Sequence, residues 1–262
     1  MPKFSIDVRL KGGLNGPQRT AFHGAADRWA QVIVGDFPRI RIRGEVISAV
    51  VIEARGSRID DGGGPQGNIL GQSSPTDMLP SGLPAKGFME FDTFDLGRME
   101  GDGTLHSVIL HEMGHVLGIG TIWKAKGLLL GAGTANPGFA GAKAHKEWGK
   151  LSRLPANQLP VENRGGPGTA DAHWRESVFG SELMTGFISG TTQPLSRMTI
   201  ASLADLGYKV SLTKADPFTI PTHLEVRAMG IGADPGRVRR CTLGNKPKRR
   251  VIPKYWPEEA LV

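Results

Sequence analysis

A chain of 262 residues, 39% of them hydrophobic, can bury the core of one large or two small domains, and no run in it approaches the roughly 18 to 20 consecutive apolar residues that cross a bilayer. Its one cysteine, Cys241, excludes an internal disulfide framework and argues against a thiolate metal site, so any metal falls to histidines and carboxylates. The net charge of +7 is concentrated late in the chain, where Arg237, Arg239, Arg240, Lys246, Lys248, Arg249 and Arg250 have no acid among them; without interleaved aromatics, this run reads as a solvated basic tail rather than a grip on nucleic acid.

FSIDVRL, Phe4 to Leu10, alternates apolar and polar residues and predicts a strand with one buried face. The opening MPKFSIDVRLKGG holds no apolar h-region, so no export signal is visible and the compartment stays open. After a turn at Gly12 to Asn15, a helix is expected over 17–34, with Pro17 at its first position, Phe22, Ala25, Ala26, Trp29, Ile33 and Val34 at helical spacing, and Pro38 beyond its end. Arg39 to Arg43 and Val46 to Ala54 predict two strands, or one broken at Gly44. Asp60 to Pro75, DDGGGPQGNILGQSSP, is too glycine-rich for regular structure, and KGFMEFD, Lys86 to Asp92, predicts a short strand at the edge of the sheet. At an edge, Gly87, Phe88, Met89 and Glu90 would offer backbone groups to an extended peptide, with an ordinary edge strand the equal alternative.

Thr104 to Leu117 is helical in pattern, with Leu105, Val108, Ile109 and Val116 available to a core and Gly118 placed for a left-handed cap. This helix carries HEMGHVLG. His111 and His115, four residues apart, share a face and can aim both imidazoles at one ion. Glu112 stands beside that ion, where a carboxylate can take a proton from a metal-bound water whose pKa has been lowered toward ~7; that is the chemistry of peptide hydrolysis. Catalytic zinc takes a third protein ligand, yet the position six residues after His115 is Thr121. His106 is turned off the metal-facing side, His23 reads as a structural histidine of the first helix, His145 lies in a Lys-rich stretch and His223 near Pro221. The residues alone do not choose among these, His173 and a carboxylate. Residues 119–172, dense in Gly and Ala, read mostly as loop with one short helix around Ala140 to Leu151, a length that implies an inserted or functional segment. Leu195 to Leu206 predicts a last helix stopped by Gly207.

HEMGHVLG, then PVENRGGPGTADAHWRESVFGSELMTG from Pro160 to Gly186, then PLSRMTIASLADLGY from Pro194 to Tyr208, resemble the leishmanolysin-like branch of the metzincin zinc metalloproteases, over about residues 100–208. The resemblance implies an α+β, metzincin-like fold. Its catalytic domain would span residues 1–210: an upper lobe, 1–118, with a twisted mixed sheet, a backing helix and the zinc helix; an inserted segment, 119–172; and an irregular, helical lower lobe, 173–210, with a Met-turn. A Pro/Gly/Arg-rich basic tail, 211–262, would follow. It further implies His111, His115 and His173 as ligands of one catalytic Zn2+, Glu112 as general base, and Met184 in the turn beneath the metal. Gly186 stands where some metzincins carry a metal-binding tyrosine, so no such ligand is expected. DDGGGPQGNILGQ with MEFDTFD resembles, more faintly, the calcium loop of matrix metalloproteases, which would gather Asp61, Asp92 and Asp95 around Ca2+; a solvated acidic turn explains the same residues and is preferred. The implied function is a zinc metalloendopeptidase acting on protein or peptide. The alternatives are a zinc-binding adhesion or protein-binding module with little turnover, and a nucleic-acid-associated protein that uses the basic tail.

Overall fold

A computed structural model describes residues 3–59, 70–152, 158–187, 192–228 and 253–262. Its elements are, in order, β1 (Ile6–Leu10), α1 (Gly16–Val32), β2 (Ile40–Ile42), β3 (Glu45–Ile47), β4 (Val50–Ser57), β5 (Gly71–Met78), β6 (Pro84–Asp92), α2 (Thr93–Gly101), α3 (Leu105–Val116), β7 (Leu129–Leu130), β8 (Gly138–Phe139), α4 (Ala142–Ser152), β9 (Leu159–Pro160), α5 (Glu176–Phe179), α6 (Arg197–Leu206), α7 (His223–Ala228) and β10 (Lys254–Tyr255). The class is α+β, with a mixed sheet and helices. Among the described residues no helix is long and apolar enough to cross a membrane.

Local chemistry explains most boundaries. Asn15 and Gln18 form a reciprocal capping box that opens α1, whose buried face carries Phe22, Ala25, Ala26, Trp29 and Val32. The helix stops at Val32, where Ile33 turns extended, so the expected end at residue 34 is two residues late. Arg43 and Gly44 both have left-handed φ, 51° and 85°, which makes the tight hairpin between β2 and β3. The two expected runs therefore become three strands.

The main sheet has the order β1-β4-β6-β5-β10. Strands β1, β4 and β6 run parallel, and β5 is antiparallel to β6. Two expectations need correction here. Residues 71–75, read as glycine-rich loop, belong to β5, and its buried positions, Gly71, Ser73, Pro75 and Asp77, are too small or polar to give apolar alternation. Consequently β6 is not an edge: it pairs with β4 on one side and β5 on the other, so Gly87, Phe88, Met89 and Glu90 sit within the sheet. Gly87 serves packing instead, since a Cβ there would lie 2.4 Å from the Val116 Cγ1 of α3 and 2.8 Å from the Ser74 carbonyl. The edge falls to β5, which among the described residues pairs with β10 only at Asp77 and Met78. Pro75, having no N–H to donate, suits that position.

Helix α3 is buried on almost every side, packed between the sheet and α1. The Trp29 indole of α1 donates to the Leu110 carbonyl at 3.0 Å, and Tyr208 beyond α6 donates to the Leu117 carbonyl at 3.0 Å. Helix α2 was not expected. Asp92 caps it by accepting from Phe94 N–H at 2.9 Å and also accepts from Ile59 N–H at 2.7 Å, while buried Asp95 pairs with Arg98. The calcium-loop likeness would use these two carboxylates, and both are engaged in building α2; Asp61 lies outside the described residues.

The segment after α3 is more built than its composition suggests. Strands β7, β8 and β9 form a small sheet, α4 lies within a residue or two of its expected place, and Trp123, Phe139 and Trp174 cluster in tilted and edge-to-face contacts with centroids 4.7–5.4 Å apart. The end of the chain also departs from a free tail. Ser211 N–H donates to the Val32 carbonyl at 2.8 Å, Asp216 accepts from Arg28 at 2.8 Å, β10 joins the sheet, and the Trp256 indole donates to Asp77 at 2.9 Å. The basic run from Arg237 to Arg250 lies outside the described residues.

Candidate metal centre

Helix α3 presents His111 and His115 one turn apart, and the chain leaves it through left-handed glycines, Gly118 at φ 111° and Gly120 at φ 74°. The turn has two local results. It brings the Ile119 carbonyl to the Nδ1 of His115 at 2.8 Å, and it sends the Thr121 hydroxyl back to the His115 carbonyl at 2.7 Å. Thr121 thus closes the helix end. A Cβ on Gly120 would lie 2.1 Å from the Ala172 carbonyl oxygen, so the long excursion begins against the residue that precedes His173.

His173 is fixed by backbone pairing on both sides. Glu162 N–H donates to the His173 carbonyl at 2.8 Å, and Trp174 N–H donates to the Met184 carbonyl at 2.9 Å. The buried Glu162 carboxylate holds this loop together by accepting from the backbone N–H groups of Asn163, Arg164 and Glu176 at 2.8–2.9 Å.

The three imidazoles converge. Their Nε2 atoms stand 2.9 Å (His111–His115), 3.0 Å (His115–His173) and 3.2 Å (His111–His173) apart. Each Nδ1 faces a backbone carbonyl that can only accept: Leu183 for His111 at 2.6 Å, Ile119 for His115 at 2.8 Å and Thr169 for His173 at 2.9 Å. Each Nδ1 therefore carries the proton of a neutral ring and each Nε2 is a bare lone pair. Burial depresses all three pKa values, His111 to about 4 and His173 to about 3, while His115 falls well below its ordinary value through burial and the two neighbouring imidazoles. Three lone pairs facing one point with no proton between them repel unless a cation lies there. Tetrahedral Zn–N bonds of ~2.0–2.1 Å would space such nitrogens by about 3.3 Å, so the donor set fits a zinc ion after a small outward relaxation. Among the described residues these three histidines are the group that can hold a metal.

The other candidates for a third ligand are elsewhere. His145 donates to the Phe139 carbonyl at 2.6 Å and ties α4 to β8. His106 and His223 are exposed, and so is His23, contrary to its reading as a structural histidine.

Glu112 is fully buried, and the Ser73 hydroxyl of β5 stands 2.5 Å from its Oε2 and 2.8 Å from its carbonyl oxygen. Met184 packs beneath α3 against Gly114, where a Cβ would lie 2.9 Å from the Met184 sulfur. Glu182 anchors this turn. Its Oε2 accepts from Met184 N–H at 2.6 Å, and its Oε1 accepts from Ser196 N–H at 3.2 Å, from the Ser196 hydroxyl at 2.6 Å and from the Thr199 hydroxyl. Burial raises the Glu182 pKa, although these hydrogen bonds pull the other way. Thr199 in turn accepts from the Trp174 indole at 2.7 Å. The residue after His173 and the carbonyl that orients His111 are thus tied into one network.

Ser73, Glu162 and Glu182 are the contributors that sequence reasoning missed. Glu162 and Glu182 do lie within the stretches that carry the family resemblance, and an acid in a tight glycine-rich or apolar segment is a signal for a buried backbone anchor. Ser73 gave none.

The family model described as leishmanolysin, peptidase M8, matches residues 140–224. That stretch contains His173, Glu182 and Met184 but not α3. Over that stretch, about a third of the chain, the protein is similar to the leishmanolysin-like M8 peptidases. A search of curated proteins found no match.

Proposed function

We propose that this leishmanolysin-like chain is a zinc-dependent metalloendopeptidase, with His111, His115 and His173 as metal ligands and Glu112 as general base. The carrying observation is the convergence of three Nε2 atoms, two of them from the helix that also carries Glu112. Bound zinc would supply Lewis acidity, polarising a peptide carbonyl and lowering the pKa of water toward ~7.

The chain's own residues do the rest. Glu112 accepts a proton from the attacking water as the new C–O bond forms, then returns it to the amine nitrogen as the C–N bond breaks. The leaving strand departs as a neutral amine. Leu183, Ile119 and Thr169 hold the imidazoles through their Nδ1 protons, which keeps each Nε2 available without a proton to displace. An extended peptide would lie along β5 rather than β6, taking its backbone hydrogen bonds from the edge over residues 71–76. Asp92 and Asp95 have no part in this reading, which needs no calcium.

The test is a Glu112→Ala protein. It should bind one zinc per chain and leave casein intact, while the unaltered chain cleaves casein in a chelator-sensitive way. Undiminished cleavage by the variant overturns the mechanism. Zinc binding by an unaltered chain that cleaves nothing favours a binding module on the same fold.

A further inference from the structure

Ser73 occupies a position that ordinary strand packing would fill with an apolar side chain. It is fully buried on the face of β5 that meets α3, and a buried hydroxyl is destabilising unless it is hydrogen-bonded. Both oxygens that it meets belong to one residue: Glu112 Oε2 at 2.5 Å and the Glu112 carbonyl at 2.8 Å. The contact joins the strand at the sheet's edge to the carboxylate proposed as general base.

A serine hydroxyl has one proton, so it cannot donate to both acceptors at once. The shorter distance selects Oε2. That bond ties the Oε2 end of the Glu112 carboxylate to β5. The carbonyl at 2.8 Å offers the same proton an alternative acceptor if the carboxylate moves away. The geometry is that of a hydroxyl built to hold a neighbouring carboxylate in place.

We infer that Ser73 is a positioning residue for Glu112, coupling the edge strand β5 to the base. The inference rests on the reading of Glu112 as general base. It also predicts that a peptide bound along β5 and the base on α3 are held in fixed register, because one strand carries both contacts. Displacements of about 1 Å at a reacting group can cost on the order of a hundredfold in rate.

The experiment is a double-mutant cycle on the zinc-loaded full chain, with Ser73→Ala, Ser73→Thr, Glu112→Ala and the Ser73→Ala/Glu112→Ala pair. Two quantities are read: cleavage of casein, and the affinity of a peptide hydroxamate, whose hydroxyl offers a proton where the attacking water's would be. Ser73→Ala should lower kcat by about ten- to a hundredfold with KM nearly unchanged and zinc content intact, and Ser73→Thr should recover most of the loss. Ser73→Ala should also weaken the hydroxamate when Glu112 is present and leave its affinity unchanged when Glu112 is absent. Equal weakening in both backgrounds overturns the inference, as does loss of zinc from Ser73→Ala. If the unaltered chain cleaves nothing, the peptidase reading fails while the hydroxamate cycle still decides the role of Ser73.

Discussion

Gly114, between the two histidines of α3, is in direct contact with Met184: a methyl group at residue 114 would come within 2.9 Å of the Met184 sulfur and 3.1 Å of the Trp29 ring. The helix can rest on both the lower turn and the backing helix because this position has no side chain. Gly114→Ala gains up to ~1 kcal/mol of helix propensity. It costs about 1–3 kcal/mol through overpacking in a site with no room to relax. A net loss is expected, read as a lower melting temperature together with weaker zinc binding, because the displaced parts are the helix bearing His111 and the turn whose Leu183 carbonyl orients it. A variant that gains stability and keeps its zinc affinity contradicts the contact.

Histidine substitutions separate ligands from structural groups. His173→Ala should lose most zinc affinity, since it removes one of the three converging Nε2 atoms. His145→Ala should retain zinc and lose about 1 kcal/mol, the worth of its bond to the Phe139 carbonyl. His223→Ala, at an exposed position, should change neither. Metal content after dialysis and a denaturant midpoint distinguish the three.

Glu182 bears on the stability of the turn beneath α3. Its two oxygens accept from Met184 N–H on one side and from Ser196 N–H and two hydroxyls on the other, so a Gln amide must set an N–H against one of the backbone donors. Glu182→Gln should cost about 1–3 kcal/mol and Glu182→Ala at least as much. Urea unfolding of the metal-free chain would show it; an unchanged midpoint in both variants would remove Glu182 from the account.

Acid sensitivity follows from the depressed histidines. In the denatured chain their pKa is about 6.5, and in the native chain burial holds His111 near 4 and His173 near 3. As pH falls from 6.5 toward those values, the denatured state takes up protons that the native state does not, so stability is fully present above 6.5 and is lost progressively below it. The melting temperature of the metal-free chain should fall steadily between about pH 7 and about pH 4. Zinc, which also requires the neutral rings, should leave over the same range. A flat metal-free profile would mean that the rings are not buried neutral.

The legible parts of this protein are those in which consecutive residues carry the signal. Pro17 at the head of the first helix, the helical spacing from Phe22 to Trp29, the HEMGH pair and the left-handed Gly118 are local, and the fold keeps them. Strand order is not local. KGFMEFD alternates as an edge strand would, but the edge is set by which neighbour pairs with it, and β5 was hidden because Ser73, Pro75 and Asp77 face inward where apolar residues were expected. Aromatic contacts likewise bring Trp123 and Phe139, from a stretch whose composition reads as loop, against Trp174.

By itself, the sequence determined that two imidazoles share one helical face and that a third had to come from a distance. A helix repeats every 3.6 residues, which fixes the first statement, and Thr121 in place of a ligand forces the second. Which distant histidine arrives was decided by tertiary structure. His173 reaches the cluster because Gly120 lets the chain lie against Ala172, because Glu162 closes the loop around it, and because Glu182 binds the next residues to the turn that orients His111. The first of these contacts joins residues 52 positions apart (172 − 120), where spacing along the chain carries no information about distance in space.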